Sequence, residues 1–182
     1  SGFMLLKLSK KMSAPPDLFV NAILYPLSEF IRGEVMYTLF VTRGYPTEKY
    51  KTYGIFEFDQ AKALVAKNQM VVYISLDLRS VRRWRQWGLK REVLDGVHIF
   101  SISIPLGRVG KKTLEYFYIK NLKKLFKIIV SEFGLPSLIH AHFYQYGYFA
   151  SLLKKEYNIP LIITEHSEEM NRRSTDINSY AF

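Results

Sequence analysis

His140 and His142 stand two residues apart inside the apolar stretch Leu138-Ile139-His140-Ala141-His142-Phe143. On a strand, residues two apart point to one face, so both imidazoles look the same way. His142 lies nearer the end of the stretch. There it could hydrogen-bond a hydroxyl or phosphate, or move a proton. A hydrogen-bonded structural histidine is the alternative. Thr164-Glu165-His166-Ser167 follows a second apolar stretch and sets four polar groups in a row, which suits sugar hydroxyls or a phosphate. Ser167 before Glu168 and Glu169 is also a good helix start. His140, His142, His166 and a carboxylate have no familiar zinc-ligand spacing.

Two further features could bind anions. Gly54 precedes an apolar-periodic segment, and a helix N-terminus there would offer free N–H groups and partial positive charge to a phosphate. An ordinary turn glycine is the alternative, because the spacing from Gly44 fits neither a dinucleotide fingerprint nor a Walker loop. Residues 79–91 carry Arg79, Arg82, Arg83, Arg85, Lys90 and Arg91 with no acid, and Trp84 and Trp87 lie three apart, on one side if helical. Such a segment suits an anionic membrane surface or nucleic acid, or it is a solvated loop or helix whose tryptophans pack on the domain.

The elements that must position these groups can be read from hydrophobic periodicity. Residues 35–41, 70–74, 97–104, 138–143 and 161–164 are continuous apolar runs and read as five strands. Phe58, Ala61, Leu64 and Val65 make one face of a helix ending near Asn68. Residues 113–133 read as the longest helix, stopped by Gly134, and residues 148–157 as a short one ended by Asn158. Unalternating strands interleaved with helices predict an α/β, Rossmann-like open parallel sheet with helices on both faces. In such a sheet ligands bind beyond the carboxyl ends of the strands. The segments of interest are therefore 42–54, 75–77, 140–145 and 164–167.

The chain has 182 residues, 48% hydrophobic and 23% charged, with no cysteine and a formal charge of +10. That composition excludes a disordered chain, a disulfide-stapled scaffold and thiolate chemistry. The length fits one domain, assigned to residues 35–182. Residues 1–34, broken by Pro15, Pro16 and Pro26, read as an extension of uncertain order, and Ser1-Gly2 is compatible with a cloning remnant. No apolar run reaches about 20 residues, so no transmembrane helix is expected.

Taken in order, these segments resemble the N-terminal half of family 4 retaining glycosyltransferases of the GT-B fold. The resemblance rests on Tyr45-Pro46, Gly54-Ile55-Phe56 and Asp59-Gln60-Ala61-Lys62-Ala63-Leu64 in the first half of the chain. It continues through Leu138-Ile139-His140-Ala141-His142-Phe143, Gly147-Tyr148, Ala150 and residues 159–167. It implies a Rossmann-like acceptor-side domain facing a C-terminal donor domain across a cleft. By the resemblance, Gly54 approaches the donor diphosphate, His142 lies near the transferred sugar as the catalytic-site histidine, and Tyr45, Glu165 and His166 line the acceptor side. It implies no metal and no cofactor, the nucleotide-sugar being a substrate held mainly by the other domain. The chain departs from the family at Asn68-Gln69, where a Gly-His pair is common, and in keeping only Gly54 of a glycine pair. The donor domain and its paired glutamates are expected beyond this segment, so the segment alone is expected to be inactive.

The expected partners are that domain and a glycan or lipid-linked acceptor. Arg82, Arg83, Trp84, Arg85 and Trp87 are expected to meet an anionic membrane surface, giving a cytoplasmic protein peripheral at the membrane. A polyanion-binding or RNA-binding module is the alternative function, with nucleic acid the less favoured partner.

Overall fold

The computed structural model describes residues 36–78, 87–107 and 109–166, and the backbone of 4–7. The described residues form seven strands and three helices. In chain order these are β1 (Met4–Lys7), β2 (Tyr37–Thr42), α1 (Ile55–Val65), β3 (Met70–Asp77), β4 (Gly88–Leu94) and β5 (Val97–Ser103), followed by α2 (Lys111–Phe133), β6 (Leu138–His142), α3 (Tyr144–Tyr157) and β7 (Leu161–Glu165). The strands make one sheet in the order β1-β7-β6-β2-β3-β5-β4. All neighbours are parallel except β4, which is antiparallel to β5.

Alternate residues of each central strand go to opposite faces, and both faces are apolar. Leu39, Val41, Val72, Ile74, Ile139 and Ala141 pack under Leu122, Leu125 and Phe126 of α2 and Ala150 and Leu153 of α3. Phe40, Val71, Tyr73, Val97 and Ile99 pack under Phe58, Ala61 and Leu64 of α1. Two-sided burial explains the continuous apolar strands. The fold is the expected α/β sandwich.

Three readings need correction. Residues 88–94 are an edge strand, neither loop nor helix. Its alternation sends Lys90 to one face, where it pairs with Glu92, and Arg91 to the other, where it pairs with Glu132 of α2. Two of the six basic residues are thus paired with acids at the surface of the fold. Secondly, Met4–Lys7, within the presumed extension, runs parallel to β7 at the opposite edge. Thirdly, α3 begins at Tyr144, a full turn before residue 148, immediately after the histidine strand. Arg82, Arg83, Trp84 and Arg85 lie outside the described residues. Trp87 is described and is 62% exposed at the carboxyl edge, next to Gly88, which pairs with Ser103.

Candidate active site

β2 sits at the centre of the sheet, between β3 and β6. The chain leaves β2 through α1 on one face and leaves β6 through α3 on the other. Adjacent connections that diverge in this way open a crevice at the carboxyl ends, here between Thr42 and His142.

His140 and His142 share the α1-facing side of β6, as residues two apart must. The Nε2 of His140 lies 2.8 Å from the Thr164 hydroxyl. The Nδ1 of His142 lies 2.9 Å from the Nε2 of His166. His142 is wholly buried, and its Nε2 has no hydrogen-bond partner among the described residues. The rings of His140 and His142 stack at 4.4 Å, those of His142 and His166 at 5.2 Å, with Phe40 against the first two. The three imidazoles form a row rather than converge on a point. Burial lowers the pKa of His140 to about 3 and holds that of His142 well below the ordinary value, with the neighbouring imidazoles adding to both. Burial also lowers His166, against the pull of Glu57 and Glu165. At neutral pH His140 and His142 are uncharged hydrogen-bonding groups.

Two helix N-termini open at the crevice, and they differ. That of α3 is occupied. Glu165 accepts from the Tyr144 amide at 2.8 Å and from its neighbour His166 at 2.9 Å, so its carboxylate caps the helix from the adjacent strand. Phe143, the residue before the helix, has φ 67° and ψ 145°, a region that a residue with a side chain enters at a cost of about 1–3 kcal/mol. Its amide is tied to the Thr164 carbonyl at 2.8 Å.

The N-terminus of α1 has no side-chain cap. Gly54 precedes it at φ 69°, and a Cβ there would lie 2.1 Å from the Gly44 carbonyl oxygen. Only glycine allows that approach of one backbone to the other. Arg43 closes the space: its Nε donates to Glu57 at 3.2 Å, and its guanidinium lies 4.9 Å over Phe143 and 5.6 Å over Tyr53. Glu57 is fully buried in the first turn of α1, and its second oxygen has no partner among the described residues.

Tyr45 is not beside His142. Its hydroxyl donates to Glu92 and lies 3.5 Å from the Ser101 hydroxyl, in a separate cavity of about 650 Å³ over β3, β5 and β4. Burial, reinforced by the Glu92 carboxylate, pushes the Tyr45 phenol up. The structure therefore gathers His142, His166 and the Gly54 turn at one crevice, gives Glu165 to the α3 cap, and sets Tyr45 apart. Arg43 and Glu57 were not singled out in the sequence. An acid in a helix's first turn is common, so nothing announces that Glu57 is buried. Ser101 and Ser103 did leave a signal, as period-two hydroxyls inside an apolar strand.

No protein-family model matches the chain, and no curated protein matches it in sequence. Among solved structures, sucrose-phosphate synthase from Thermosynechococcus elongatus aligns at a TM-score of 0.52 and 15% identity, covering 78% of this chain and 36% of that one. The OtsA apo structure aligns at a TM-score of 0.46 and 13% identity, covering 71% of this chain and 33% of that one. The chain thus spans about a third of the length of these structures. In fold, the chain is a Rossmann-like open α/β sheet, similar to part of the sucrose-phosphate synthase structure.

Proposed function

We propose that the chain is the acceptor-side half of a glycosyltransferase, which moves a sugar from a nucleotide-sugar donor onto a hydroxyl of a glycan or lipid-linked acceptor. The observation that carries the reading is the Nε2 of His142. It is a buried, neutral imidazole nitrogen without a protein partner among the described residues, set at the crevice of a glycosyltransferase-like fold. A sugar hydroxyl matches such an atom, since it can either donate or accept. The hydrogen bond to His166 holds the ring of His142 in place and couples the tautomers of the two imidazoles. Because His142 is neutral, its role is to orient a hydroxyl rather than to supply a charge.

The departing diphosphate gains negative charge in the transition state. The uncapped first turn of α1, reached past Gly54, offers backbone amides on that side, while the Arg43 guanidinium is paired with the buried Glu57 carboxylate of the same turn. The α3 terminus cannot serve, because Glu165 fills it. The donor is a substrate in this reading, held mainly by a second domain.

The test is sugar transfer and nucleotide-sugar binding by the protein extended to its full coding sequence. His142→Ala is expected to lower transfer by about 10–100-fold, and His142→Gln to restore part of it. Full activity in His142→Ala, or no interaction with any nucleotide-sugar, overturns the reading. The 182-residue chain alone is expected to transfer nothing, since half of the cleft is contributed elsewhere. Robust transfer by it refutes that assignment.

A further inference from the structure

β4 ends the sheet, and among the described residues no strand lies beyond it. Its inner side pairs with β5 along its whole length, from Gly88 opposite Ser103 to Leu94 opposite Val97. An antiparallel neighbour uses one edge of a strand, so the N–H and C=O groups of the other edge of β4 face away from the sheet. Gly88, Leu89, Lys90, Arg91 and Val93 are all exposed. Leu89 and Val93, 41% and 62% exposed, share the α2 side of the strand with Arg91, whereas Lys90 and Glu92 share the opposite side.

Charged residues on an edge strand usually keep a second strand away. On β4 their order makes one exception. Arg91 is the middle of the seven residues. An antiparallel copy related by a two-fold axis through Arg91, perpendicular to the sheet, therefore pairs the whole strand with itself. That register sets Lys90 opposite Glu92 of the second copy, and Glu92 opposite Lys90 of the second copy. On the other face it sets each Leu89 opposite a Val93. Opposite charges and apolar side chains that meet directly across strands both stabilise a sheet. Arg91 meets its own copy, the one like-charge contact. Each guanidinium is drawn back, however, to Glu132 of its own chain at 3.2 Å, and lies 5.2 Å over its own Phe100. Sliding the copy by two residues in either direction sets Lys90 opposite Lys90 or Glu92 opposite Glu92, so the charges select a single register.

We propose that β4 pairs with β4 of a second copy of this chain, in the register that sets Lys90 opposite Glu92, and joins the two sheets into one. The proposal does not depend on the transferase reading. Lys90 and Glu92 also line the cavity beside Tyr45, so the second copy brings its Lys90 to the rim of that cavity. Stable interfaces bury about 1,200–2,000 Å², and one strand pairing is a small contact on that scale. The dimer is therefore expected to be reversible, with a Kd of about 10–100 μM.

The experiment is sedimentation velocity of the 182-residue chain from about 1 μM to about 300 μM, a range that brackets that Kd. The expected result is a monomer that becomes a dimer as concentration rises. Lys90→Glu sets Glu opposite Glu, Glu92→Lys sets Lys opposite Lys, and each is expected to weaken self-association about tenfold or more. Mixed in equal amounts, the two variants complement each other, and the mixture is expected to dimerise as well as the wild type. A loss of stability in either variant would not produce that rescue. Val93→Asp leaves the Tyr45–Glu92 bond in place, is expected to weaken the dimer several-fold, and serves if Glu92→Lys does not fold. A chain that is monomeric throughout, a dimer unchanged in Lys90→Glu and Val93→Asp, or a mixture of the two folded charge variants that stays monomeric overturns the proposal.

Discussion

At the residue scale, burial decides what the histidines can do and gives them a pH signature. His140 is neutral in the folded protein because charging it would strand a cation in the core. Its folded pKa, about 3, lies below its ordinary 6.5, so the unfolded chain binds the proton first. The stability it contributes is complete above 6.5 and is lost as the pH falls from there toward 3. Each such histidine adds a slope of about 1.4 kcal/mol per pH unit in that window. Urea unfolding between about pH 7 and about pH 5 checks this. His140→Gln, which retains a hydrogen-bonding group toward Thr164, is expected to flatten the slope by about one proton relative to wild type. Equal slopes would mean that His140 titrates as if exposed.

At the element scale, the distance between α3 and the sheet rests on one missing side chain. Gly147 faces Ile163 of β7, and a Cβ there would lie 2.6 Å from its Cδ1 and 3.0 Å from its two γ carbons. Alanine gains helix propensity against that crowding, whereas a branched side chain has no such offset. Gly147→Val is expected to destabilise the fold by about 1–3 kcal/mol, read as a lowered urea midpoint with an unchanged m-value. Unaltered stability would show that α3 is free to move outward.

The five central strands and all three helices were legible because two-sided burial writes them as unbroken apolar runs or wide apolar faces. The edges were not. In β4, Leu89 and Val93 are exposed, and Lys90 and Arg91 serve different faces, so no run marks it as a strand. In the site, His142 and His166 declared themselves by type and by their place after strands. Arg43 and Glu57 did not, because their meeting depends on how the turn at Gly54 folds back on Gly44. The cavity was legible only in part: segments 42–54 and 75–77 stood out as strand exits, but Ser101 and Ser103 did not. Its floor sets Ser75 and Asp77 of β3 beside Ser101 and Ser103 of β5, in a register that only the sheet reveals.

At the scale of the whole molecule, the surplus of positive charge has a place to act. Leu78 and Trp87, the described residues on either side of 79–86, both lie at the carboxyl edge that carries the crevice and the cavity. Trp87 is exposed there, and no helix among the described residues is long and apolar enough to cross a membrane. We propose, from the composition of the basic stretch with its tryptophans, that it contacts an anionic bilayer surface. Flotation with vesicles of phosphatidylcholine, with and without phosphatidylserine, tests it. The chain is expected to float only with the anionic lipid and less as salt rises. The combined change of Arg82, Arg83 and Trp84 to alanine is expected to abolish flotation, and unaltered flotation would remove the segment from that role.

The strand order also has a kinetic consequence. β2 pairs with β3, a short helix away, but its other neighbour is β6, and the Ser137 hydroxyl that leads into β6 bonds the Tyr37 carbonyl 100 residues earlier. Non-local pairing of this kind closes a long loop before it is rewarded and is slow for that reason. During synthesis β2, β3, β4 and β5 can associate while β6 is still unmade. The seam between β2 and β6, and with it the crevice, is therefore expected to form after the β2–β3–β5 part of the sheet, and only the β1–β7 edge, which closes a still longer loop, is expected to follow it.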